Sequence, residues 1–260
     1  MRRRLGLLIG WLAVTQAGCA PRRLTMSLAP PFLSTGPTSP SVLWMEPFDT
    51  LNPQQWRTVE IKGQTRYEVV PLDERSCLRA QSHDGASILL HQIRYDADEH
   101  EWLSWHWRVD QLVDGEDLAR KDGSDAAARV YVYFDSRGLP WQKRNIDYVW
   151  SRSLPVGTIL SSAYSADSKI IVVESGAGAL GQWRAVLRNV EEDYARCFGG
   201  HRPDVAAIGL MSDTDNTKGQ ALAYFDDIMV SRSSSTRMPT AAASGEPAGL
   251  ADRGPLEVSQ

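Results

Sequence analysis

A surplus of positive charge is missing from this chain, with 28 Lys and Arg against 32 Asp and Glu and a formal net charge of -4. Without a strong basic field, retention of a nucleic-acid polyanion is not expected. Cysteine is scarce at three in 260 residues. At roughly 100–200 residues per domain, the chain is long enough to bury a core without a disulfide scaffold. Long apolar runs are also lacking. The run from Leu5 to Val14 falls well short of the ~20 residues that span a bilayer. G-x-S-x-G and H-E-x-x-H do not occur, and the histidines at 83, 91, 100, 106 and 201 show no ligand spacing beyond His100 and His106 at i and i+6. That argues against a serine-elbow hydrolase and against a zinc site. Stretches with helical period are few, which leaves strands to build the core.

The N-terminus supplies a compartment. Arg2, Arg3 and Arg4 precede the apolar run, and small residues lead to Cys19, the pattern of a secretory signal. Ala17-Gly18-Cys19 resembles the bacterial lipobox, in which the cysteine thiol is lipidated, although Gln16 stands where that motif usually has Leu. Ordinary cleavage near Ala20 is the other reading. Residues 1–19 are thus expected to be a lipoprotein-type signal peptide, with membrane attachment through the Cys19 anchor only. Ala20, in place of the Asp that retains lipoproteins at the inner membrane, resembles outer-membrane sorting and predicts a periplasmic location. With Cys19 lipidated, Cys77 and Cys197 form an even pair in an oxidising compartment and are candidates for one disulfide. Two separately buried thiols are the alternative.

Residues 20–42 are rich in Pro, Ser and Thr without apolar periodicity and read as a tether. Residues 233–260 are rich in Ser, Ala, Gly and Pro and carry no aromatic side chain, the composition of a disordered tail. Between them, residues 43–232 suit one domain. There Leu103, Trp105, Trp107 and Val109 alternate with Trp102, Ser104, His106 and Arg108, placing the two sets on opposite faces of a strand. Ala128, Val130, Val132 and Phe134 alternate likewise with Arg129, Tyr131 and Tyr133. Further candidate strands are Leu43–Phe48, Tyr67–Val70, Ser87–Ile93, Ile146–Trp150, Lys169–Glu174, Trp183–Arg188, Ala206–Ser212 and Ala221–Val230. So many strands in one domain predict an all-β fold of two packed sheets, a β-sandwich or jelly roll. One short helix is expected over Glu191–Phe198, stopped by Gly199 and Gly200.

Several clusters could carry chemistry. Gly176-Ala-Gly178-Ala-Leu-Gly181 spells G-x-G-x-x-G, but its neighbours read as successive strands, so a glycine-rich loop is expected and no nucleotide cofactor. Asp213-Thr-Asp215-Asn-Thr-Lys-Gly219 lacks the glycine position and terminal glutamate of an EF-hand; it reads as a tight hairpin with Asx capping, with metal or ligand contact by Asp213, Asp215 and Asn216 as the alternative. Glu46 and Asp49 near the first strand and Asp226 near the last are candidate ligands of one structural Ca²⁺, a hard ion suited to carboxylate oxygens. The face holding Arg129 and Tyr131 combines a guanidinium fork with flat rings, a combination that stacks on and hydrogen-bonds a sugar or grips a carboxylate. The competing account buries Arg129 against an acid such as Asp193.

Trp105-His-Trp107, Asp125-Ala-Ala-Ala-Arg129-Val-Tyr131-Val-Tyr-Phe134, Tyr148-Val-Trp150, Arg188-Asn189-Val with Asp193-Tyr194, Phe198-Gly199 and Ser212-Asp-Thr-Asp-Asn-Thr217 together resemble the bacterial family called domain of unknown function 3047. The resemblance covers about residues 43–232. Where that family usually has two acids before the Ala run, this chain has Ser124-Asp125. The resemblance implies a secreted β-sandwich similar to carbohydrate-binding modules and supplies no established activity. The leading expectation is a lipid-anchored β-sandwich that binds a glycan or another polar envelope component through Arg129, Tyr131, Trp150, Arg188, Asp193 and Asp215. The alternatives are a glycoside hydrolase or polysaccharide lyase using Asp193 and Asp213 as acid and base, and a purely structural envelope module.

Overall fold

The computed structural model describes residues 41–135, 144–200 and 202–234. The expected signal peptide and lipid site at Cys19, and nearly all of the expected tether and tail, lie outside the described residues. The elements are β1 (Val42–Glu46), β2 (Trp56–Lys62), β3 (Arg66–Leu72), β4 (Arg75–His83), β5 (Ala86–Tyr95), β6 (Trp102–Gln111), β7 (Ala128–Phe134), β8 (Asn145–Ser151), β9 (Ile159–Ser161), β10 (Ser168–Ser175), β11 (Arg184–Asn189), α1 (Val190–Phe198), β12 (Val205–Asp213) and β13 (Gln220–Ser231). One sheet runs β11-β6-β13-β4-β3 with β1 also paired to β13, and the other runs β2-β5-β12-β7-β8-β10-β9. Neighbours are antiparallel except β8 and β10, which are parallel. This is the two-sheet all-β sandwich with one short helix that the alternation predicts.

The alternation also explains the core. Trp105 and Trp107 from β6 meet Tyr148 and Trp150 from β8 across the two sheets, with ring centroids 5.4 and 5.9 Å apart. Val130, Val132 and Phe134 of β7 and Leu78, Ala80 and Phe225 of the opposite sheet are buried among them. Each large apolar side chain so buried contributes about 1.5–3 kcal/mol. The helix begins at Val190, where Asn189 Oδ1 accepts the Glu192 N–H, and ends at Gly199 in the left-handed region, φ +65°. An L side chain is disfavoured at that φ, so glycine suits the stop.

Several expectations are corrected. Strands β2, β4 and β9 lack a readable signal. β4 points Arg75, Arg79 and Gln81 away from a row whose inward members include small Ala80 and Ser82, and β2 buries only Trp56. The stretch from Asp213 to Gly219 is no tight hairpin, because β12 and β13 belong to different sheets. It is a crossing between them. Cys77 and Cys197 are free thiols and not a disulfide. They sit on β4 and α1, and Cys77 Sγ approaches the Val70 carbonyl at 3.7 Å. Burial pushes their thiols up to about 12 and about 11 respectively, so both stay protonated and unreactive at neutral pH. The 176–181 glycines turn between β10 and β11, strands of different sheets.

Candidate ligand-binding cleft

Residues paired across antiparallel strands project to the same face. The register sets Arg129 beside Met211 and Val149, and Tyr131 beside Gly209 and Asp147. With Val130, Val132 and Phe134 turned inward, that row lies on the outer face of the seven-stranded sheet. There Arg129, only 3% exposed, engages every branch of its guanidinium. Nε donates to Asp213 Oδ1 at 2.8 Å, one terminal nitrogen donates to Asp147 Oδ2, and the other donates to the Ser124 carbonyl at 3.0 Å. Burial pushes the Asp213 carboxyl up to about 7 against the opposing pull of Arg129, and burial likewise raises Asp147. Asp147 Oδ1 is buried with no donor. The neighbouring Tyr131 hydroxyl is turned to Met211 Sδ at 3.7 Å, and its ring stacks on Tyr133 at 5.5 Å.

Asp125 organises the crossing that follows β12. Its two oxygens accept the Asn216 and Thr217 N–H groups at 3.1 and 2.7 Å and the Asn216 side-chain amide at 2.8 Å. Oxygens of Asp125, Asp213 and Asp215 lie within 4.8 Å of one another, a buried group that could hold a metal ion. Lys62 donates to the Asp215 carbonyl at 3.1 Å and lies 3.6 Å from its carboxylate. Tyr164, 57% exposed, stands in the turn between β9 and β10. Its hydroxyl is shared between the Lys121 carbonyl at 3.1 Å and Asn216 Oδ1. Lys62, Arg129, Tyr131, Asp147, Tyr164, Asp213, Asp215 and Asn216, with Ile61, Ser162 and Ser168, line a cleft of about 530 Å³. A second cavity of about 410 Å³, walled by Arg57, Leu90 and Tyr133, continues along the same face.

Of the residues expected to bind ligand, the structure brings Arg129, Tyr131 and Asp215 to this cleft, together with Asp213. The other three lie elsewhere. Trp150 faces the core, with its Nε1–H donating to the Gly176 carbonyl at 3.1 Å, because it alternates with outward Asp147 and Val149. Arg188 lies on the six-stranded sheet and donates from Nε to Asp193 Oδ2 at 2.8 Å, while the Tyr148 hydroxyl donates to the same oxygen at 3.0 Å. Asp193 therefore anchors α1 and is not a partner of Arg129, and no acid–base pair of Asp193 with Asp213 is formed across the cleft. The Ca²⁺ set is not gathered either. Glu46 accepts the Phe48 N–H at 3.0 Å and the Trp56 indole N–H at 2.8 Å, Asp49 is exposed, and Asp226 takes Arg75 at 2.9 Å. Asp125, Asp147, Lys62 and Tyr164 carry no signal in the sequence that marks them as site residues, whereas Asn216 stands in the 213–219 stretch for which a metal or ligand contact is the alternative to a turn. The alternation of Ile146, Tyr148 and Trp150 does turn Asp147 outward, but its register against Tyr131 has no local signature.

The family described as "Protein of unknown function (DUF3047)" matches residues 54–229, more than half of the chain and all of the cleft-bearing strands. The chain belongs to this family. No curated protein matches the DUF3047 chain. Among solved structures it is similar to the CBM22-1 xylan-binding domain from Paenibacillus barcinonensis, at 12% identity and TM-score 0.38, covering 73% of this chain and 93% of that one. It is also similar to a xyloglucanase domain from Sinorhizobium fredii, at 10% identity and TM-score 0.42, covering 70% and 96%. A cellulose induced protein gives 9% identity and TM-score 0.43, covering 73% and 97%. Likenesses this distant carry no argument about function, which rests on the cleft itself.

Proposed function

We propose that this DUF3047 domain binds a glycan in the cleft on the outer face of the seven-stranded sheet. The observation that carries the reading is the exposed Tyr164 ring, held by its hydroxyl at the edge of a polar pocket. A sugar presents apolar C–H faces and a fringe of hydroxyls, so it is matched by a ring beside fixed donors and acceptors. Asn216, Asp215 and Ser162 supply those groups. Arg129 acts beneath them as a brace that fixes Asp147 and Asp213, to which two of its N–H groups are given. Calorimetric titration of the protein with a panel of oligosaccharides tests the reading. Tyr164→Ala is expected to weaken the best binder by about tenfold, or about 1.4 kcal/mol; wild-type affinity in that variant contradicts it.

We place this activity in the cell envelope. The support is the Arg2–Arg4 cluster, the apolar run and Ala17-Gly18-Cys19, which argue for export and for lipidation at Cys19. Cys19→Ser is expected to move the protein from the membrane to the soluble fraction, and unchanged membrane partition refutes the anchor.

A further inference from the structure

The charges in the cleft are unevenly engaged. Its cations are Arg129 and Lys62. Arg129 directs three of its five N–H groups to Asp147, Asp213 and the Ser124 carbonyl, and its charge is already balanced by the two flanking aspartates. On the acidic side, acceptor capacity remains. Both hydrogen bonds to Asp213 land on Oδ1. Asp147, 2% exposed and part of the cleft wall, keeps Oδ1 without a donor. A buried carboxylate oxygen with no donor costs free energy until a ligand or a turned hydroxyl supplies one. The chain itself shows what the acidic rim accepts. The Lys62 ammonium rests on Asp215, 3.1 Å from its carbonyl and 3.6 Å from its carboxylate, although the Lys62 side chain is 57% exposed and tethered only by its flexible stem.

Resting on the reading of the cleft as a glycan site, we propose that its ligand is an amino sugar with a free ammonium group, which displaces Lys62 and binds the Asp147, Asp213 and Asp215 side. A uronic acid is disfavoured, because its carboxylate would lie among the Asp147, Asp213 and Asp215 side chains, where the Arg129 charge is already balanced by two of them. A divalent ion is a poorer match for the same corner. Asp125 already accepts three N–H donors, and the ion would lie against both Arg129 and Lys62, whereas an ammonium carries half the charge and replaces Lys62 in kind.

The test uses the full chain and three tetrasaccharides in parallel: glucosamine, N-acetylglucosamine and galacturonate oligomers, titrated calorimetrically at neutral pH. The glucosamine oligomer is expected to bind about tenfold tighter than its acetylated counterpart, with the ratio shrinking as salt rises and persisting in chelator. Lys62→Gln removes the competing ammonium at an exposed position and is expected to tighten the glucosamine oligomer. Asp215→Asn is expected to bring the ratio towards one. Equal affinities for the free and acetylated amine, or tighter binding of galacturonate, overturn the ammonium proposal while leaving the glycan site standing. A preference that vanishes in chelator reassigns the corner to a metal ion and also overturns it. No heat with any of the three oligomers, nor with the wider panel, overturns the glycan reading itself.

Discussion

Two arginine–aspartate networks serve this sandwich differently. Arg129 is enclosed by two strands and a loop on the outer face of the seven-stranded sheet, with Asp147 and Asp213 on either side. Arg188, 26% exposed in its side chain, meets Asp193 at the base of α1 with Tyr148 and Arg196 as further partners. In the sequence the two look alike, an Arg on a strand with an Asp to be paired. What separates them is which side of the sheet the neighbouring strand presents. The Arg129 network lies under a cleft, whereas the Arg188 network ties a helix to the sheets. A buried charge network beneath a cavity fixes the side chains that line it, and the same chemistry beside a helix holds architecture.

The largest expected effect breaks the first network. Arg129→Ala leaves two buried carboxylates without their cation and is expected to cost roughly 3–5 kcal/mol in denaturant melts. Adding Asp147→Asn should recover part of that loss, because the stranded charge is removed; additive losses would mean that the two side chains are not coupled. For the second network, Arg188→Ala is expected to cost less, about 1.5–3 kcal/mol, since Asp193 keeps Tyr148 and Arg196. A loss as large as that of Arg129→Ala would erase the distinction.

The outer face of the six-stranded sheet offers a third acid against which to set the pH behaviour. Burial, reinforced by adjacent Asp227, pushes the Asp226 carboxyl up to about 7. A carboxyl raised in the folded state favours folding below its ordinary value near 3.8, and this contribution is lost as pH rises through about 7. Thermal melts should therefore fall in Tm between pH 5 and pH 8, and Asp226→Asn should flatten that slope by about 2–4 °C, the size of a 1 kcal/mol effect in a domain of this length. An unaltered slope assigns the pH dependence elsewhere. The smallest expected effect is that of Tyr164→Ala on stability, within about 0.5 kcal/mol, since the ring projects from a surface turn. A large loss there would make Tyr164 a structural strut and remove it from the binding account.

Legibility followed the physics of alternation. β6 and β7 announce themselves because Trp105, Trp107, Val130 and Val132 are large, apolar and spaced by two, and the same spacing puts Arg129 and Tyr131 on the outer face. β4 escapes notice because small Ala80 and Ser82 follow Leu78 at its inward positions. The cleft was legible strand by strand and not across strands. Asp213 and Arg129 could be suspected separately, but the hydrogen bond between them depends on β12 lying beside β7, which no local pattern states. Arg188 and Asp193 are close in sequence and do pair. Their place away from the cleft has no local signature, because it depends on α1 packing beside β8, where Tyr148 joins them.

The most direct test maps amide chemical-shift changes on titrating the ¹⁵N-labelled protein with the oligosaccharide that binds best in calorimetry. The account predicts perturbations gathered at Lys62, Tyr131, Tyr164, Met211 and Asp215, with Arg188, Asp193 and the rest of α1 unmoved. Perturbations centred on Arg188 and Asp193, with the seven-stranded face silent, would contradict it.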